Sequence, residues 1–231
     1  MIIALTRLLF AILIVSLAFI VVRFFVRFIE RLLPDQAMTE DERRRELASL
    51  ARKLQLQFNF KSDFDLPKRF SFLTWLKPGL INYAYNIFHG YYRSEYLVTI
   101  FDYTFSDGKY DYYWSAFVLE MKTHFPDMII SHENRESRLA ETLGQTHITF
   151  ESAEFSRAFR VRCQDKKFAF DICHPQMMEF LLANQDLTIE IRGNMLAVLF
   201  EDWLRPQKVE SNLSRLIEIR KLLPKYLFIK A

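Results

Sequence analysis

Glycine is scarce in this chain, with five residues in 231. Dinucleotide- and P-loop-type phosphate cradles need closely spaced glycines so that backbone can approach the phosphate, and neither pattern is present. The two cysteines, Cys163 and Cys173, are too few for a disulfide framework or a Cys-only zinc site. The histidines are His89, His124, His132, His147 and His174, and no two have the spacing that puts metal ligands on one helical turn. No motif therefore assigns a catalytic, cofactor-binding or metal-binding residue, and no cofactor is expected. Excess charge is also missing from most of the chain. The net charge of +3 is carried by residues 1–33 through Arg7, Arg23, Arg27 and Arg31 against Glu30, so residues 34–231 are neutral. A neutral body lacks the electrostatic footprint of a phosphate-neutralising surface, and nucleic acid is not expected as a partner.

What the chain has in abundance is apolar and aromatic side chains, 51% and 16% of its residues. The first block of them is continuous. Leu8–Val22 is uncharged and fifteen residues long. At about 1.5 Å per residue it covers ~22 Å of a hydrocarbon core ~30 Å thick. Extension to Val26 makes nineteen residues, with Arg23 near enough to the end to reach the headgroups. A cleaved signal peptide competes with this reading, but it needs a small-residue cleavage site, and Val21, Val22, Arg23 and Phe24 follow instead. The reading adopted is an uncleaved transmembrane helix.

Beyond Val22 the pattern becomes amphipathic. Arg23, Arg27 and Arg31 repeat every fourth residue among Phe24, Phe25, Phe28, Ile29, Leu32 and Leu33, and Pro34 stops the helix. Such a stretch suits the headgroup layer of a bilayer, and an ordinary basic flank is an equal alternative. One arginine precedes the span, and Arg23, Arg27, Arg31 and then Arg43, Arg44 and Arg45 follow it. The positive-inside rule then places the C-terminal part in the cytoplasm, on a single-pass anchor.

The organisation expected is an anchor with its basic extension over 1–33, a connector helix within 34–54 and a globular domain over 55–231. Thr39 and Glu42 have capping-box spacing, and Leu47, Leu50, Ala51 and Leu54 form a narrow stripe that can dock on the domain or pair with a second copy. Gln55–Phe60 alternates as a strand. Tyr96–Phe105 and Tyr110–Lys122 flank Ser106–Lys109 as a hairpin, and Pro126 is expected to end the second strand. Met128–Ser131 and His147–Phe150 read as short strands and Asn134–Leu143 as a helix closed by Gly144. In the last third, Phe159–Cys163 with Phe168–Cys173, and Leu187–Arg192 with Met195–Glu201, read as hairpins. Helices from Pro175 and over Pro206–Leu222 follow them. The fold class expected is α+β: a transmembrane helix, then an antiparallel sheet with helices on one face, ending in hairpin-helix-hairpin-helix order.

The phrases Asn86–Gly90, Ile100–Tyr103, the Phe150–Arg162 region and the helix beginning Pro175–Phe180 resemble an uncharacterised family of bacterial membrane-associated proteins. The resemblance runs from about Phe58 to Tyr226 and departs at Ser106–Lys109, where the family has a longer glycine-rich loop. The resemblance implies that the membrane is a bacterial inner membrane; the family has no settled activity, so it implies no catalytic residues.

Asp102 shares its strand face with Val98 and Ile100, so an inward-facing carboxylate there needs donors, and Asn86, His89 and Asp102 could make a polar cleft. Cys173 beside His174 is the nearest approach to a Cys/His pair, but adjacent residues point apart. Tyr91, Tyr92, Tyr96, Tyr103, Tyr110, Tyr112, Tyr113 and Trp114 are either an exposed binding face or core and cross-strand pairs. Two functional classes follow. The first is a noncatalytic membrane-tethered binding or scaffold module, with the lipid bilayer and an unidentified protein or small ligand as partners. The alternative is a membrane-bound, hydrolase-like enzyme whose site is assembled from dispersed residues such as His89 and Asp102.

Overall fold

A computed structural model of the chain describes residues 38–74, 76, 81–106, 108–133 and 147–228. The proposed span, its basic extension and the helix expected over Asn134–Leu143 lie outside them. Among the described residues no helix is long and apolar enough to cross a membrane. The chain divides into residues 1–42 and residues 43–231. In the first unit, the Thr39 amide and hydroxyl donate to Glu42 Oε2 at 2.9 and 2.8 Å, and the Glu42 amide donates back to Thr39 Oγ1 at 3.3 Å. This is the expected capping box, opening helix α1 (Glu40–Lys53).

The second unit is built on one antiparallel sheet. Its strands are β1 (Gln57–Asn59), β2 (Ile81–Tyr92), β3 (Tyr96–Ser106), β4 (Asp111–His132), β5 (His147–Ile148), β6 (Phe159–Cys163) and β7 (Thr188–Phe200). They run in the order β1-β2-β3-β4-β6-β5, and β7 pairs with β4. The β3–β4 hairpin turns where Ser106–Lys109 was expected to turn it. Strand β4 is the spine, because β3 pairs its first half, β6 its last five residues and β7 most of its length.

Between the strands lie α2 (Leu66–Arg69), α3 (Ala153–Ala158), α4 (Lys166–Ile172) and α5 (Pro175–Leu182), and α6 (Pro206–Leu222) follows β7. Five helices cover one face of the sheet. Leu47 and Ala51 of α1, Phe155 of α3, Phe168 and Ile172 of α4, Met177 and Leu181 of α5, and Val209, Leu213 and Leu216 of α6 pack with Val98, Ile100, Phe117 and Val198. The other face is covered by the segment that begins with the one-turn α2. Leu66, Phe70, Leu73 and Leu76 lie on Ala84, Phe101, Tyr103, Trp114 and Leu199 there. With both faces covered, the central strands lose the polar-out alternation that a half-exposed sheet keeps.

Three expectations are corrected. Pro126 does not end its strand: β4 runs through it, in a stretch paired to neither β3 nor β6 and irregular against β7. A missing N–H costs little at such a site. Phe168–Cys173 is not the second arm of a hairpin. Asp165 accepts from the Phe168 amide at 3.0 Å and starts α4, whose Phe168, Ala169 and Ile172 are buried, while β6 pairs with β4 and β5. Leu187–Arg192 and Met195–Glu201 are also not a hairpin. They belong to the single strand β7, where Gly193 at φ +55° absorbs an irregularity opposite Phe125. The last third therefore runs helix, strand, helix, helix, strand, helix.

Candidate functional site

The local geometry that builds the site starts in β2. Tyr85 pairs with Asp102 and Phe88 with Ile100, so Asn86 and Ile87 together oppose Phe101 in a bulge. Asn86 takes φ +50°, a conformation asparagine tolerates better than most residues. The bulge keeps Ile87 on the α2 side and leaves Asn86 fully buried beside Asp102.

Asp102 lies under the helical layer with no exposure. Its Oδ2 accepts from Arg43 Nη1 at 3.0 Å and Asn86 Nδ2 at 2.9 Å, and its Oδ1 accepts from the Leu204 amide at 2.6 Å. Arg43 Nη1 also donates to the Leu204 carbonyl at 3.3 Å. One carboxylate thus joins α1, β2, β3 and the segment that leads into α6. Burial pushes its pKa up from 3.8 to about 6, although Arg43, Asn86 and the Leu204 amide all favour the charged form. The Asn86 amide is oriented by the same acceptor, and its Oδ1 is buried without a hydrogen-bond partner.

His89 does not join this group. It is exposed, and its Nδ1 lies 3.0 Å from Thr99 Oγ1. Asn86 and Asp102 therefore meet as a structural knot, and no imidazole faces the carboxylate. Cys173 and His174 are not a working pair either. Cys173 is buried with its thiol pKa pushed up by burial, and His174 Nε2 donates to the Leu222 carbonyl at 2.8 Å. Among the described residues no cluster of His, Cys, Asp or Glu is placed to hold a metal ion.

Above the knot, aromatic rings extend on both sides of the Arg43 guanidinium. The Arg43 guanidinium carbon lies 5.8 Å from the ring centres of both Tyr85 and Trp203. Tyr85 continues to Tyr83 at 5.7 Å and on to Phe64 at 5.5 Å, while Trp203 continues to Tyr113 at 5.6 Å. Arg44 lies over Phe60 at 5.7 Å. Several of these rings are open to solvent: Phe60, Phe64, Tyr113 and Trp203 are 50%, 57%, 43% and 45% exposed. Trp203 stands between two shallow depressions. One, of about 180 Å³, reaches Ser115, Phe200, Arg205 and Asn212, and the other, of about 290 Å³, lies against Tyr112, Trp114 and Glu201.

No protein-family profile and no curated protein matches the chain. Its fold is that of a solved protein. The crystal structure of the mycobacterial trehalose monomycolate transport factor A, TtfA, is similar with a TM-score of 0.58 at 16% identity. The match covers 78% of this chain and 96% of that one. At that identity the likeness is one of fold.

The eight aromatic residues divide between the two readings. Tyr92, Tyr103 and Trp114 are buried, Tyr96 and Tyr112 are half-buried, and only Tyr91, Tyr110 and Tyr113 are exposed. Arg43 entered the sequence reading only with Arg44 and Arg45, in the charge count that sets the orientation, and its place in the knot was missed. The signal was present, since Arg43 precedes Leu47 by four residues and Ala51 by eight and so shares their stripe. Glu190, the second fully buried carboxylate, sits between Ile189 and Ile191 in β7. It accepts from the Thr74 amide at 2.9 Å, Thr74 Oγ1 at 2.8 Å and Arg192 Nε at 2.9 Å, tying the covering segment to the α2 side of the sheet.

Proposed function

We propose that this chain is a noncatalytic, membrane-tethered binding module. Its N-terminal apolar run crosses a bacterial inner membrane once and its folded domain stands in the cytoplasm. The observation that carries the noncatalytic part is the state of Asp102. The one carboxylate that sequence reasoning offered to chemistry is enclosed and bonded to Arg43, Asn86 and the Leu204 amide, all of which hold the fold together. General acid or base work needs a group within reach of substrate, and Asp102 is out of reach. The fold is shared with a protein named as a transport factor, which agrees with a binding role by analogy of fold alone. The resemblance to a family of bacterial membrane-associated proteins points the same way.

The test is complementation of a strain lacking the protein. The full chain carrying His89→Asn restores the deletion phenotype fully, because His89 is an exposed residue outside the knot. A chain starting at Thr39, expressed to the same level, does not restore it. Loss of rescue by a folded His89→Asn chain would return the hydrolase-like reading, and rescue by the shortened chain would remove the tether from the function.

A further inference from the structure

We propose that the line running from Phe64 through Tyr83, Tyr85 and the Arg43 guanidinium to Trp203, together with Phe60 under Arg44, rests in the headgroup layer of an anionic bilayer. The proposal deepens the tethered-module reading and depends on it. Four features of this surface carry it.

The first is the chemistry of the line. It combines phenylalanine, whose ring prefers the acyl boundary, with tyrosine and tryptophan, whose polar tips favour the headgroup level. The rings that reach the surface along this ridge, Phe60, Phe64 and Trp203, are 50%, 57% and 45% exposed. A ridge of this kind enters lipid readily, whereas a stable protein partner needs a broad complementary patch.

The second is charge. Lys61, Lys68 and Arg69 are exposed around Phe60 and Phe64, with Lys68 paired to Asp65 at 2.7 Å and Arg69 to Asp63 at 3.6 Å, and Arg44 lies over the Phe60 ring, so the four cations outnumber the two carboxylates by two. Cations beside inserted rings are attracted to anionic lipid while their aliphatic stems cover apolar surface.

The third is rigidity. Asp63 bridges Ala84 of β2 through both backbone groups, at 2.7 and 2.9 Å, and its Oδ1 accepts from the amides of Asp65 and Leu66. The loop is thereby fixed in the conformation that exposes Phe64, so little ordering entropy is lost when the ring is inserted.

The fourth is the length of chain that precedes the site. The arginine-bearing stretch Arg23–Leu33 ends ten residues before Arg43. Ten residues reach at most about 35 Å. A domain held this close to a bilayer by its own chain meets the surface at high effective concentration, and weak ring-by-ring contacts suffice.

The test uses the full chain reconstituted into phosphatidylcholine vesicles with and without phosphatidylglycerol. Both native thiols are buried, so a single introduced cysteine takes an environment-sensitive fluorophore selectively. Phe64→Cys reports on the ridge, and Glu179→Cys, at an exposed position on α5, is the control. The proposal predicts blue-shifted emission at position 64, and quenching there by doxyl-labelled lipid several-fold stronger than at position 179. It also predicts that the quenching grows with phosphatidylglycerol and falls when Lys61→Glu and Arg69→Glu are added. Equal quenching at 64 and 179 in chains that float with the vesicles would overturn the ridge and leave the tether standing. A blue shift at 64 without lipid quenching would assign the surface to protein and overturn the proposal. Chains that fail to float would overturn the tether and the ridge together.

Discussion

Arg43 of α1 and Asp102 of β3 form a salt bridge at 3.0 Å with their side chains 9% and 1% exposed. The pair is the polar point at which the first helix of the domain is fixed to its sheet. Removing one member leaves the other buried without its counter-charge. Asp102→Ala is therefore expected to lower stability by about 3–5 kcal/mol. In a double-mutant cycle with Arg43→Met the two sites couple by about 1–3 kcal/mol. The double variant stays below the native chain because the Leu204 amide and Asn86 have also lost their acceptor. Chemical denaturation of the four chains checks this, and additive costs would mean that the two residues act separately.

Asp102 also gives stability a pH signature. Its carboxyl titrates near 3.8 when unfolded and at about 6 in the folded chain. The folded state holds the proton more tightly, so the contribution of this group favours folding below pH ~4 and is lost as the pH rises through ~6. Asp102→Asn cannot titrate there. The stability of the native chain minus that of the variant is expected to fall by up to about 3 kcal/mol between pH 4 and 6.5 and to stay level above. Denaturation midpoints across that range give the slope, and a gap that grows with pH would reverse the assignment.

Glu190 plays the corresponding part on the opposite face. Burial raises its pKa against the donors from Thr74 and Arg192. Glu190→Ala strands the Thr74 amide and is expected to cost about 2–4 kcal/mol. In hydrogen exchange the loss should be local, with protection falling over residues 63–76 while β3 and β4 keep theirs. Uniform loss over the whole sheet would show that the segment and the sheet unfold as one unit.

Cys163 and Cys173 are both buried, and burial pushes both thiols up from their ordinary range. Neither should react with a thiol reagent in the native chain, and both should react in denaturant. Rapid native labelling of either would place it in an opening that these packed positions do not have.

Much of the architecture was legible where one local signal was strong. Thr39 with Glu42 marks the start of α1, Pro206 and the spaced apolar positions mark α6, and the turn at Ser106–Lys109 marks the long hairpin. The failures share a cause. Gly193-Asn194 looks like a turn and Pro126 looks like a stop, but β4 and β7 template each other over a long pairing that accommodates both as irregularities. Strand β2 was not anticipated, because its register depends on the Asn86 bulge, and a bulge moves residues between faces. Of the site, Asp102 was legible from its alternation with Val98 and Ile100. Its partners were not, since Arg43 is 59 residues away and Leu204 is 102 away in the chain. The ridge was equally hidden, because its rings come from a loop, two strands and the segment before α6, which meet only in three dimensions.

Extraction of membranes with alkaline carbonate, followed by mass measurement of the retained chain, tests the tether most directly. The chain should stay in the pellet with Leu8–Val22 intact, as an integral single-span protein does. Release into the supernatant, or a retained product shortened past Val22, would contradict the account.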